Sequence, residues 1–192
     1  ASPAWERINR LEEGHAKDSG RVPGKDYGCG REESCRGQDQ SGFDPGVVLS
    51  MAGGETLFVH FLGTAGALPT PNRNPSCIMI RRGSDTLLFD CGEGAQQQMM
   101  RAKTGFTVNA IFVTHWHADH YLGIFGLVET MAFNGRTEPL TIYGPAGVEG
   151  FVEIIHRLTP KIPFVLSAVE VADGDVTLFD GYSVMAFKTY HG

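Results

Sequence analysis

The chain has 192 residues, 42% of them apolar and 20% charged, and a net charge of −6. At about 150 residues per domain this is room for one globular domain, and the composition excludes a wholly disordered chain or a generally basic nucleic-acid binder. No run approaches the ~18 apolar residues of a membrane span, and the first twenty residues, broken by Glu, Arg, Lys and Asp, do not read as a signal peptide.

Charge is uneven along the chain: the first 50 residues hold 7 Lys/Arg, 9 Asp/Glu and 8 Gly, with no lasting apolar period. Such a stretch cannot bury enough surface to offset its chain entropy. We read 1–52 as a disordered extension or as upstream sequence misjoined to a start at Met51, with a recognition arm as the alternative. The folded part is then 53–192. Leu57–Leu62 reads as a short strand ending at Gly63. Cys77–Ile80 and Thr86–Phe89 read as a hairpin turning at Gly83, Ser84 and Asp85. The spacing predicts a helix over Ala95–Lys103, a buried strand over Ala110–Val113 and a buried helix over Tyr121–Phe133. Leu140–Tyr143 is a strand, and Val148–Leu158 is a helix with one core-facing stripe at 148, 151, 152, 155 and 158. Phe164–Val171, Val176–Phe179 and Ser183–Phe187 complete the strands, giving an α/β layered sheet protein.

Chemistry concentrates in Thr114-His-Trp-His-Ala-Asp-His120, directly after an apolar strand. Alternate residues of an extended chain point the same way, so His115 and His117 can share one metal. A turn into helix re-aims Asp119 and His120 toward a second. Imidazole nitrogen with carboxylate oxygen suits zinc, with manganese and iron as competitors. Buried unpaired, these groups would cost several kcal/mol. The other histidines divide: His15 lies in the extension, His60 alternates with apolar neighbours in a strand and reads as structural, and His156 reads as solvated. His191, in a loop after a strand, is open between ligand and surface residue. The cysteines, at 29, 35, 77 and 91, lack C-x-x-C spacing and read as reduced thiols of a cytoplasmic protein.

H-x-H-x-D-H after a strand resembles the metallo-β-lactamase superfamily of binuclear hydrolases. Phe61–Thr70, Arg73-Asn74, Leu88-Phe-Asp-Cys-Gly-Glu-Gly94 with Gln98, Phe112–His120, Gly123, Gly126-Leu127 and Leu140–Pro145 together resemble its ribonuclease Z family, the tRNA 3′-processing endonucleases. The resemblance covers about 57–192 and implies the N-terminal half of an αββα sandwich. It implies His115 and His117 on one zinc with His191 completing their set, and Asp119 and His120 on a second zinc. Asp119 is also the implied catalytic proton acceptor, and Asp90 the buried carboxylate that orients the histidine loop. Pro69 to Asn74, with Arg73, matches the family's P-x-x-x-R-N loop near the substrate's 3′ end; some members carry Lys at its third position, where this chain has Pro71. The implied reaction is metal-assisted hydrolysis of a phosphodiester in precursor tRNA, by a homodimer when full length.

Family members continue past the position of Gly192 with a tRNA-binding arm, a bridging Asp, a further His and a final His ligand. The expectation is therefore an N-terminal half, inactive and weakly metallated alone, with its helix-facing apolar surface exposed. The rivals are another binuclear hydrolase of this fold acting on a small molecule, and a non-catalytic half-domain that pairs with a second chain.

Overall fold

The computed structural model describes residues 46–50 and 56–190. Most of the 1–52 extension and His191 lie outside the described residues. The elements are strands β1 (Val47–Ser50), β2 (Thr56–Gly63), β3 (Cys77–Arg82) and β4 (Asp85–Phe89), helix α1 (Ala95–Arg101), strand β5 (Ala110–Phe112), helices α2 (Ala118–Tyr121) and α3 (Gly123–Phe133), strand β6 (Leu140–Gly144), helix α4 (Val148–Leu158), and strands β7 (Leu166–Glu170), β8 (Val176–Phe179) and β9 (Tyr182–Met185).

Strands β1 to β7 form one sheet in chain order. The first four pair antiparallel, joined by short turns. From β4 onward pairing is parallel, because each connection contains a helix that carries the chain back. Every parallel strand therefore ends at the same edge, and the loops after β4, β5 and β6 emerge together there. That edge is where an open sheet of this kind places its chemistry.

All three longer helices cover one face of the sheet. Met79, Leu88, Ile111 and Ile142 from the strands pack with Met99 of α1, Ile124 and Leu127 of α3 and Ile155 of α4, all fully buried in one core. In α4 the predicted stripe buries Val148, Phe151, Val152 and Ile155, but Leu158, at the last helical position, is two-thirds exposed. At about 2 kcal/mol for each buried side chain, these four residues tie α4 firmly to the sheet.

The helix-facing surface is thus not the one left open. That expectation fails because α1, α3 and α4 already lie on it. The opposite face is the partly open one. There Phe89, Phe112 and Tyr143 stack at 5.2 and 4.6 Å between centroids. The β8–β9 hairpin folds over them through Phe179, Tyr182 and Val184. Tyr182 donates its hydroxyl to Asp85 Oδ2 at 2.9 Å and lies under the Arg82 guanidinium, while Arg82 also donates to the Asp180 carbonyl. Beside the hairpin, Leu57, Ile80, Leu87 and Phe89 line a cleft of about 230 Å³, and Val47, Leu49 and Phe61 are substantially exposed.

Two more differences have specific causes in the packing. Val47–Ser50, inside the expected extension, is a strand, because its apolar run finds the free edge of β2. The predicted helix over 121–133 is broken at Leu122: α2 is a single turn, and α3 starts afresh at Gly123. At that break Gly123 N–H donates to the Cys91 carbonyl at 2.9 Å, and a Cβ at 123 would fall 2.1 Å from the Gly92 carbonyl oxygen. Only glycine admits so close an approach. No helix among the described residues is long and apolar enough to cross a membrane.

Candidate metal centre

Strand β5 ends at Phe112, and a loop with a bend at Trp116 leads to His117, which precedes α2 in an extended conformation with φ −81° and ψ 139°. The loop places the His115 and His117 rings together, with His115 Nε2 2.9 Å from His117 Nδ1. The single turn of α2 then brings Asp119 and His120 back over them. His120 Nε2 lies 3.5 Å from Asp119 Oδ2, and the His115 and His120 ring centroids are 4.0 Å apart. The loop after β5 and the turn of α2 thus bring His115 beside both His117 and His120, and His120 beside Asp119.

Asp90 organises that nest from beneath. It follows β4 with φ 59°, in the left-handed region that Asp enters more readily than most residues. Its carboxylate is buried and accepts from the Thr114 N–H at 2.9 Å, from the Thr114 hydroxyl at 2.9 and 3.1 Å and from Ser76 Oγ at 3.4 Å. Asp90 Oδ2 also lies 2.6 Å from His120 Nδ1. With Nδ1–H held by a carboxylate, His120 keeps Nε2 as its lone-pair donor, the arrangement common to metal-ligating histidines. Thr114 Oγ1 contacts His115 Nδ1 at 2.9 Å, so one hydroxyl links Asp90 to the second imidazole.

The donor set fits a cation of the zinc class. Tetrahedral zinc with ligand bonds of about 2.0–2.1 Å has ligand-to-ligand edges of about 3.3 Å. The Asp119–His120 separation of 3.5 Å matches such an edge, and the His115–His117 separation of 2.9 Å is close to one. Among the described residues, though, no three of these groups form a set that could hold a metal ion. The closest donor pairs are His115 with His117 and Asp119 with His120, and the His115 and His120 rings join the two.

The 69–74 loop is bolted to the same scaffold. It closes through mutual backbone bonds between Thr70 and Arg73, reinforced by Thr70 Oγ1 accepting from Arg73 N–H at 3.0 Å. Pro69 and Arg73 are exposed. Asn74 Nδ2 donates to the Glu93 carbonyl at 3.1 Å, and Asn74 Oδ1 accepts from Gln98 Nε2 of α1. Gly94 takes φ 78° and leaves no room for a side chain, since a Cβ there would lie 2.0 Å from Asn74 Nδ2. Cys91 N–H donates to the His120 carbonyl at 2.7 Å, and Gly92 N–H to the Ser76 carbonyl at 2.9 Å. One segment, 90–98, therefore holds the donor nest on one side and the Pro69–Asn74 loop on the other.

Residue typing alone missed Thr114, Ser76 and Gln98 as supports, and gave no contacts for Trp116, whose indole Nε1–H donates to the Ala146 carbonyl. Thr114 and Trp116 carried a signal, their positions flanking the histidines. Ser76 and Gln98 act through packing that only the fold reveals. His60 is a strand residue away from the nest, its Nδ1 buried without a hydrogen-bond partner. His156 is exposed, as expected, but its Nε2 also lies 3.2 Å from the Leu166 carbonyl oxygen.

Comparison with known proteins identifies the family. The family model described as the metallo-beta-lactamase superfamily matches residues 70–187. The chain is 53% identical over 137 residues to a ribonuclease Z of Methanosarcina acetivorans, a match covering 70% of the chain and 45% of that protein. It is 50% identical over 138 residues to one from Halorubrum lacusprofundi, covering 71% and 44%. The crystal structure of the short form of human tRNase Z superimposes with a TM-score of 0.54 at 34% identity, over 59% of this chain and 46% of that one. The chain spans a little under half the length of the curated relatives it matches.

Proposed function

From the premise that the chain belongs to the metallo-β-lactamase superfamily, we propose that it carries the metal-binding half of a ribonuclease Z-type active site. The activity is zinc-dependent hydrolysis of a phosphodiester bond that releases the 3′ trailer of precursor tRNA. The observation that supports it most is the shared scaffold at 90–98, which joins the His/Asp nest to the exposed Pro69–Asn74 loop. A metallohydrolase that acts on an RNA end needs those two parts held in fixed register.

In this mechanism His115, His117 and His191 would hold one zinc, and Asp119 and His120 would hold the other. When bound, zinc activates water near neutral pH and neutralises charge on the phosphoryl oxygens. Asp90 fixes the His120 tautomer by accepting from Nδ1 and fixes the loop by accepting from Thr114. Asp119, largely buried beside His120, takes up the proton that the attacking water releases. Arg73 carries a cation on an exposed turn and meets the RNA backbone, with Pro69 and Asn74 shaping the turn. The net charge of −6 does not oppose this, because bound dications and Arg73 supply positive charge locally. A homodimer and a cytoplasmic setting belong to the same proposal. The buried free thiols Cys77 and Cys91 suit a reducing compartment.

A graft tests it. Residues 57–192 replace the matching segment of the Methanosarcina acetivorans ribonuclease Z. The chimera is expected to trim a 3′-extended precursor tRNA and to lose that cleavage on His117→Ala. A chimera that folds and binds zinc but leaves the precursor intact contradicts the proposal.

A further inference from the structure

Trp116 stands between the two histidines, at a bend in the loop that follows β5. Its surroundings are specific. The indole Nε1–H donates to the Ala146 carbonyl at 2.8 Å, in the turn between β6 and α4. The ring packs against Phe151 of α4 at 5.3 Å and Tyr121 of α2 at 5.6 Å between centroids. Phe151 in turn meets Tyr121 and Phe125 edge-on at 5.3 and 5.4 Å. Two helices and the turn before α4 thus meet one side chain of the histidine loop, and Phe125 of α3 backs Phe151.

The loop consequently has two anchors. Asp90 fastens it from the β4 side, through Thr114 and His120. Trp116 fastens it from the other side, through Tyr121 of α2, Phe151 of α4 and the Ala146 carbonyl of the turn before α4. An aromatic ring with a bonded polar tip is a stiff support, because both its plane and its rotation are fixed.

Resting on the metal-centre reading above, we propose that Trp116 is a positioning residue for the metal site: it fixes the His115–His117 backbone against α4 and so sets the aim of both imidazoles. A merely structural residue would stabilise the fold without altering zinc affinity. A positioning residue alters zinc affinity as well, as groups behind metal ligands generally do.

The test compares the 192-residue chain with W116A and W116F. Zinc affinity is read by competition with a chromophoric chelator, and folding by circular dichroism and thermal melting. W116A is expected to weaken zinc about tenfold or more, and W116F, which keeps the ring but loses the N–H donor, to fall between. Zinc affinities within twofold of wild type in both variants, whatever the melting temperature, overturn the proposal. If W116A does not fold, W116F decides: unchanged affinity overturns the proposal and weakened affinity supports it. A wild-type chain that binds no zinc defeats the metal-centre reading, and this proposal with it, which is a result distinct from binding that ignores Trp116.

Discussion

Asp90 Oδ2 lies 2.6 Å from His120 Nδ1, a contact between the end of β4 and the single turn of α2. The same carboxylate accepts from the Thr114 N–H at 2.9 Å, so one buried group sets both ends of the H-x-H-x-D-H segment. Asp90→Asn keeps the shape but removes the charge and puts an amide donor among the hydroxyls. Zinc affinity is expected to fall about tenfold or more, and stability by about 1–3 kcal/mol. Chelator competition and urea denaturation read the two quantities separately. Unchanged zinc affinity would remove Asp90 from the site.

Gly92 and Gly66 make a paired test. A Cβ on Gly92 would lie 2.4 Å from the Asp119 carbonyl oxygen and 2.6 Å from Pro75 Cβ, whereas one on Gly66 meets nothing within 4 Å. Overpacking between two backbones costs about 1–3 kcal/mol or more. Gly92→Ala is therefore expected to lower the denaturation midpoint and Gly66→Ala to leave it nearly unchanged. Equal effects from the two would show that 90–94 does not approach α2 as described.

His60 predicts an acid dependence. Burial, with a smaller contribution from the positive Arg81, holds its imidazole below the ordinary value of 6.5. The unfolded chain then takes up a proton at a higher pH than the folded chain. Stability from this group is accordingly full above pH 6.5 and declines as pH falls from there toward the lowered folded value. Replacing His60 with Leu removes that decline and relieves a buried Nδ1 that has no partner. Melting temperatures of the two chains are expected to diverge between pH 7 and pH 5, with His60→Leu the less sensitive. Parallel curves would contradict the assignment.

Cys77 and Cys91 are both fully buried. The hydrogen bond to Cys91 pushes the Cys77 thiol well above its usual range, and burial adds to the shift. Thiolate is the reactive form, so both residues are expected to resist a maleimide reagent in the native chain. In a Cys29→Ser, Cys35→Ser background, mass spectrometry should find no label natively and two labels in denaturant. Rapid native labelling would mean that the core around Met79 and Leu88 opens readily.

Much of the fold was legible because its signals are local. The Val148–Leu158 helix and the Val176–Phe179 strand appear with the bounds that their apolar spacing predicts. The 81–85 turn was readable from Gly83 and its neighbours. What stayed hidden depends on distant chain. The edge strand Val47–Ser50 exists through its pairing with β2. The break at Leu122 follows from the approach of Gly92 to Gly123, thirty-one positions on. At the site, residue type and spacing singled out His115, His117, Asp119 and His120, which the loop after β5 and α2 bring close in pairs. The bolt from Gln98 through Asn74 to Glu93 joins segments that no spacing rule connects. His191, taken from family resemblance, lies outside the described residues.

The measurement that bears most directly on the central claim is zinc binding by the chain itself, compared with His117→Ala and Asp119→Ala under identical conditions. Wild type is expected to bind zinc saturably, with each variant weakened by about tenfold or more while its circular dichroism stays native. Absence of zinc binding in wild type, or equal affinity in all three chains, would contradict the metal centre at 115–120 and with it the proposed activity.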